Sequence, residues 1–171
     1  MGIENQKSVY KRRRTIRRSD PAAGLSLLKR RRWYIDVSVT PANVQHSSKA
    51  NLITGIAGET IDQGEVLYRD GSVSPAVLML AVNSSAATAK WVGFAQSAAA
   101  EGQPCTYSDD DPDYNPGGTV VVGTRYFVSN IAGKVAPAAD IGSAEYVSLV
   151  GIATVADKLP INIINSGIAV P

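Results

Sequence analysis

From Trp33 onward, apolar positions come in short runs, several alternating with polar ones, and glycine interrupts them every 8–12 residues or so. That texture predicts half-buried β-strands joined by turns, as in sandwiches and small barrels. The runs predicted as strands are Glu65 to Tyr68, Ala76 to Val82, Ala89 to Phe94, Pro104 to Tyr107, Thr119 to Val122, Arg125 to Ser129, Tyr146 to Ala153 and Ile161 to Ile164. Ahead of them, Trp33 to Thr40 alternates well enough for a strand ending at Pro41, and polar Asn43 to Lys49 reads as a loop. No long helical periodicity competes. The expected class is all-β: a small Gly/Ala-rich barrel or related body over residues 33–171.

The runs also repeat. Gly64-Glu65-Val66-Leu67-Tyr68 resembles Gly123-Thr124-Arg125-Tyr126-Phe127 at an offset of 59. Gly71-Ser72-Val73-Ser74-Pro75-Ala76 matches Gly133-Lys134-Val135-Ala136-Pro137-Ala138 at four positions, an offset of 62. Val92-Gly93-Phe94-Ala95 matches Val150-Gly151-Ile152-Ala153 at three, an offset of 58, and Pro104 answers Pro160 at 56. Four matches in the same order predict a duplicated β-unit, with copies at about 56–107 and 118–165.

Upstream the pattern is different. Residues 1–32 hold Lys7, Lys11, Arg12, Arg13, Arg14, Arg17, Arg18, Lys29, Arg30, Arg31 and Arg32 against Glu4 and Asp20, a balance of +9. The whole chain carries +2, so the other 139 residues carry −7. A basic arm on an acidic body points to an anionic partner for the arm. Between Lys7 and Arg18 only Val9, Tyr10 and Ile16 are apolar, too few to order the segment in isolation. Ser19-Asp20-Pro21 then has the form of a helix start, with Ala22, Leu25 and Leu28 at helical spacing and Lys29 to Arg32 at the negative end of the dipole. A short docking helix is expected there, although Gly24 weakens it.

At 171 residues the chain has the size of one domain with an appendage, large enough to fold without metal or disulfide. Cys105 is the only cysteine, which excludes an internal disulfide framework and a multi-cysteine zinc site. No apolar run approaches the roughly 20 residues that span a bilayer, and the charged N-terminus does not resemble a secretory signal. The reading is a soluble protein without a membrane partner.

Catalytic motifs are missing. No serine has glycines two residues to either side, and there is no phosphate-binding glycine loop ending in Lys-Ser/Thr. His46, the only histidine, sits in Gln45-His46-Ser47-Ser48 and reads as a solvated loop residue rather than a base or ligand. Cys105 reads as a small buried hydrophobe. In the acidic run from Asp109 to Gly118, Asp109, Asp111, Asp113 and Asn115 alternate as calcium ligands do. Two prolines, Tyr114 at the sixth position and the lack of a twelfth-position glutamate favour a solvated loop instead; an acidic partner for the arm is the third reading. No cofactor, metal or catalytic residue is expected.

The segment Gly55-Ile56-Ala57-Gly58-Glu59-Thr60-Ile61-Asp62-Gln63-Gly64-Glu65-Val66-Leu67-Tyr68, followed by Trp91-Val92-Gly93-Phe94-Ala95 and later Val150-Gly151-Ile152-Ala153, resembles the capsid cement or decoration proteins of tailed bacteriophages. The resemblance covers roughly residues 50–165. It implies a β-tulip-like body, no catalytic residues, a trimer of copies bound over coat-protein junctions, and residence in the virion after assembly in the host cytoplasm. The basic arm is outside the pattern of that family. Its arginines fit an acidic groove of the major capsid protein or a neighbouring copy, with Trp33 and Tyr34 as interface residues. The alternative is a coat-like protein whose arm binds the packaged nucleic acid by neutralising phosphates. Small residues such as Ala95 to Ala100 are expected to form strands that let neighbouring chains approach closely.

Overall fold

The computed structural model describes residues 36–171, which lie within the second of two units into which the chain divides, Trp33–Pro171. The expected helix after Ser19 and the first three residues of the expected strand at Trp33 lie outside the described residues. Eleven strands follow: β1 (Val44–Gln45), β2 (Asn51–Ile56), β3 (Val66–Asp70), β4 (Val77–Leu80), β5 (Trp91–Ala95), β6 (Pro104–Asp110), β7 (Asn115–Pro116), β8 (Arg125–Val128), β9 (Val135–Pro137), β10 (Tyr146–Ile152) and β11 (Ile164–Ala169). They form a five-stranded sheet in the order β2-β6-β5-β3-β4, a four-stranded sheet β11-β10-β8-β9, and the small pair β1-β7. Every named ladder is antiparallel. The body is all-β, as the alternation predicts, but no sheet closes into a barrel. The five-stranded sheet only curls, bringing Ala57, just past β2, against Leu78 of β4.

Both large sheets contain the same unit. β3-β4-β5-β6 and β8-β9-β10-β11 have one strand order, and the central pairs share one register. Val66↔Phe94, Leu67↔Gly93 and Tyr68↔Trp91 correspond to Arg125↔Ile152, Tyr126↔Gly151 and Phe127↔Leu149, with a bulge at the same place in each. The entering turns correspond too: Gly64 N–H donates to the Ala95 carbonyl at 2.8 Å, and Gly123 N–H to the Ala153 carbonyl at 2.8 Å. Both glycines have positive φ, +88° and +78°. The hairpins obey another offset than the sequence match suggests. Pro137 faces Tyr126 where Leu80 faces Leu67, an offset of 57, because the hairpin from Leu67 to Leu80 is two residues longer than the one from Tyr126 to Pro137. The match of Gly71–Ala76 with Gly133–Ala138 therefore does not follow the strand pairing.

The two units stack front to back. The front face of the first unit, Val66, Trp91 and Phe94 with Tyr68 packed beside them, is buried in one cluster with the back face of the second, Tyr126, Val128, Val135 and Val150. The back face of the first unit, Leu67, Leu78 and Ala95, belongs to a separate cluster with Ala57, Ile61, Ala99, Cys105 and Tyr107. With both faces covered, β5 and the first three residues of β3, Val66 to Tyr68, read as continuous apolar runs rather than alternating ones. Trp91 meets Phe94 edge-on at 5.6 Å, and Phe94 lies 4.5 Å from the Tyr114 ring. Burying each such side chain is worth roughly 1.5–3 kcal/mol.

Several expected strands differ. Residues 36–40 have no ladder; they lie on the body through Val37 N–H to the Val135 carbonyl, 3.0 Å, and Thr40 N–H to the Gly117 carbonyl, 2.9 Å. Asn43 to Lys49, expected as loop, contributes β1. Thr119 to Val122 is no strand: Val120 N–H bonds Ala156 and Val121 N–H bonds the Tyr126 hydroxyl, leaving Val121 and Val122 exposed. The last strand begins at Ile164, not Ile161. Ala95 to Ala100 is not a free small-residue strand; Ala95 ends β5, Ala99 bridges Ile61, and both are buried in the chain's own core.

Gly93 and Gly151 occupy one position of the repeat for one reason. A β-carbon on Gly93 would collide with the carbonyl oxygen of Ser108, and one on Gly151 with that of Pro160. In each case the obstacle is backbone, which cannot swing aside. Gly151→Ala should therefore cost about 1–3 kcal/mol in denaturant unfolding. Gly71→Ala, with open space around the position, should change it by less than about 0.5 kcal/mol.

Candidate assembly surfaces

The residues that sequence singles out for attachment, Lys7 to Arg32 with Trp33 and Tyr34, lie outside the described residues. What the structure describes is the acidic body. Its six cations are Lys49, Arg69, Lys90, Arg125, Lys134 and Lys158, against thirteen carboxylates. Lys134 pairs with the buried Glu65 at 3.1 Å and Lys49 with Asp113 at 3.7 Å, the latter so exposed that it adds little.

The acidic run is not a solvated loop throughout. Asp109 and Asp110 finish β6, and Asp111 is fully buried. Its carboxylate accepts the Ser47 N–H at 2.8 Å, the Ser47 hydroxyl at 2.6 Å and the Asp113 N–H at 3.0 Å. Asp109 accepts from the Asn51 amide at 2.7 Å, and the Asn115 side chain accepts the Gly117 N–H at 2.9 Å. Three of the four oxygens that alternate like calcium ligands thus already serve protein donors. Among the described residues no group of three or more His, Cys, Asp or Glu side chains is placed to hold a metal ion. Sequence reading missed the Ser47–Asp111 tie because its halves are 64 positions apart, each in a stretch that looks like ordinary loop.

His46 is exposed, and its ring Nδ1 donates to the Ser47 carbonyl at 3.0 Å. Cys105 is buried in β6 with Sγ 3.5 Å from the Ser97 carbonyl, and burial pushes its thiol up, away from the reactive thiolate.

A groove of about 910 Å³ runs between the segment 36–45 and residues 115–126. Polar side chains from Ser38, Thr40, Asn43, Gln45, Asn115 and Thr124 line it, and its only charged lining residues are Asp36 and Asp157. Burial raises the Asp36 carboxyl above its usual range, and the nearby Asp140 raises it further; a 2.7 Å hydrogen bond from Ser129 and the charge of Lys134 act against both. The chemistry of this groove is that of hydrogen bonding and weak cation attraction. Elsewhere the outward side of the four-stranded sheet leaves Ile152 and Ile164 exposed. Among the described residues no helix is long and apolar enough to cross a membrane.

No protein-family model, curated protein or solved structure matches the chain.

Removing the Asp111 carboxylate orphans three donors, so Asp111→Ala should lower unfolding free energy by about 1–3 kcal/mol, while Asp109→Ala, whose single bond is exposed, should cost less than about 1 kcal/mol. Tyr114 gives a pH test. Its ring is fully buried, and its hydroxyl has no hydrogen-bond partner among the described residues. Burial first, and the Asp111 charge second, hold the phenol far above its ordinary value. The unfolded chain releases this proton near pH 10 and the folded chain keeps it, so stability present below about pH 10 falls as pH rises beyond it. Tyr114→Phe should be within about 1 kcal/mol of the parent at pH 7 and should lose less stability between pH 9 and 11.

Proposed function

We propose that this chain is a structural protein of a virus particle, a capsid cement of the tailed-phage type, and not an enzyme. Its body seats on coat-protein junctions and on other copies of itself, and its arginine-rich arm grips an acidic surface of the coat protein. The observation that carries attachment through the arm is the division of charge, +9 in residues 1–32 against −7 in the rest, while the cement type comes from the resemblance over residues 50–165. A rigid β-body with a reach of basic chain suits a protein that ties together surfaces it does not alter. The arginine blocks Arg12-Arg13-Arg14 and Arg17-Arg18 carry bidentate pairing to carboxylates, which lysine cannot copy. The same blocks keep a second reading open, a coat-like protein whose arm binds packaged nucleic acid through counterion release.

Changing Arg12, Arg13, Arg14, Arg17 and Arg18 together to glutamate should leave the melting of the body within about 1 °C and weaken binding to purified empty shells on the order of 100-fold at moderate salt. Lysine replacements should have a smaller effect. Equal decoration by the glutamate variant across a range of salt would remove the arm as attachment device. Capture of random DNA or RNA with a steep salt slope, without affinity for shells, would move the assignment to the nucleic-acid reading.

A further inference from the structure

The internal repeat exposes one surface for which the chain supplies a precedent. By register, the front face of the second unit comprises Arg125, Phe127, Leu149 and Ile152, the counterparts of Val66, Tyr68, Trp91 and Phe94 in the first. Phe127, Leu149 and Ile164 stand in one cross-strand row over β8, β10 and β11 and so share that face. In the first unit this face is covered, with Val66, Trp91 and Phe94 at 0%, 1% and 1% exposure. In the second, Ile152 is 42% and Ile164 52% exposed, and Ile168 further along β11 reaches 68%. Phe127 and Leu149 are half-buried and Ala136, opposite Phe127, is buried, but among the described residues no further large sheet covers this face as the second unit covers the first.

We infer that a second copy of this chain seats on this face, the same surface meeting on both copies across a two-fold axis. Three observations choose a copy over a different partner. The chain already buries the equivalent face against a sheet of its own kind. The back faces of both units are occupied within the chain, so a second copy has this front face to offer. Bodies of charge −7 repel one another, and β8, β9, β10 and β11 contain no carboxylate and one charge, Arg125. Two such bodies can approach at this sheet with the least like-charge cost. Aligned packing of two sheet faces, about 10 Å apart, is the ordinary geometry for such surfaces. The inference stands without the virion reading, and it pairs two copies rather than the three that the family resemblance implies.

The test uses the full chain. Sedimentation over a range of concentrations should give an even-numbered assembly for the parent. The double variant Ile152→Glu/Ile164→Glu should dissociate it at least about 100-fold more readily, with circular dichroism and melting retained. Because a misfolded variant would also dissociate, Ile164→Cys supplies a second readout: a short bismaleimide should join position 164 of one copy to 164 of the other, with the parent, whose Cys105 is buried, left unjoined. A monomeric parent, an assembly whose mass ignores the glutamates, or a 164 thiol that never self-links where the parent is assembled would each overturn the inference. Shell binding separates it from the proposed function: the arm variant should lose shells yet stay paired, and the face variant should be unpaired yet still bind them.

Discussion

The body depends on covering Trp91. This indole is 1% exposed at the centre of the first unit's front face, and a buried N–H needs a partner. Nε1 donates to the carbonyl of Leu149 at 3.0 Å, and Leu149 is the residue that occupies the place of Trp91 in the second unit. The Asn165 side chain donates in return to the Trp91 carbonyl at 3.1 Å. Around these bonds Val66 N–H reaches Gly133, Gly133 N–H reaches Ala81, and Lys134 reaches Glu65. The stack thus has directional ties as well as apolar area, and they lock one unit onto the other in one register. A sliding of either sheet by a residue would orphan the indole and several backbone groups together.

This arrangement explains which parts of the fold are legible in sequence. β3, β5, β8 and β10 are, because their apolar residues serve the stack directly, and the bulge glycines Gly93 and Gly151 mark the offset of 58 where two backbones meet closely. β2 and β11 are not: they read Asn-Leu-Ile-Thr-Gly-Ile and Ile-Asn-Ser-Gly-Ile-Ala, edge strands with mostly exposed side chains and a glycine inside. In both, pairing comes from the neighbour's open ladder and not from any pattern of their own. Thr119 to Val122 is the reverse case. Its β-branched residues promise a strand, yet the chain there is held by Ala156 and the Tyr126 hydroxyl and only Val120 is buried.

Legibility of the functional surfaces follows the same division. A charge run is visible in sequence because phosphate or carboxylate binding asks for charge and little geometry. What sequence does not reveal is that a carboxylate in an acidic stretch can be structural. Asp111 looks like one more solvated acid, but its neighbours Pro112 and Tyr114 turn the chain inward, and its oxygens become the acceptors that hold the Ser47 loop. The apparent calcium spacing comes from side chains that alternate along the end of β6 and the turn after it, three of them accepting from protein donors and Asp113 pairing with Lys49.

A front-to-back stack has a consequence that a face-to-face one lacks. When two like sheets meet face to face, both inner faces are consumed and both outer faces can be polar. Stacked in the same sense, the units consume one front and one back, and one front and one back remain. The first unit disposes of its back by curling β2 and the 57–61 segment around Leu67, Leu78 and Ala95. Among the described residues the second unit has no such segment, since the residues that would correspond to β2 are spent on the end of β6 and on β7. Its own back is used in the stack, and so its front must either turn polar or find cover. It has done the first only in part, putting Arg125 where Val66 stands but keeping Phe127, Leu149 and Ile152 apolar. Duplication without symmetric closure therefore leaves an apolar face on the second sheet of the body, a remainder that follows from the repeat itself.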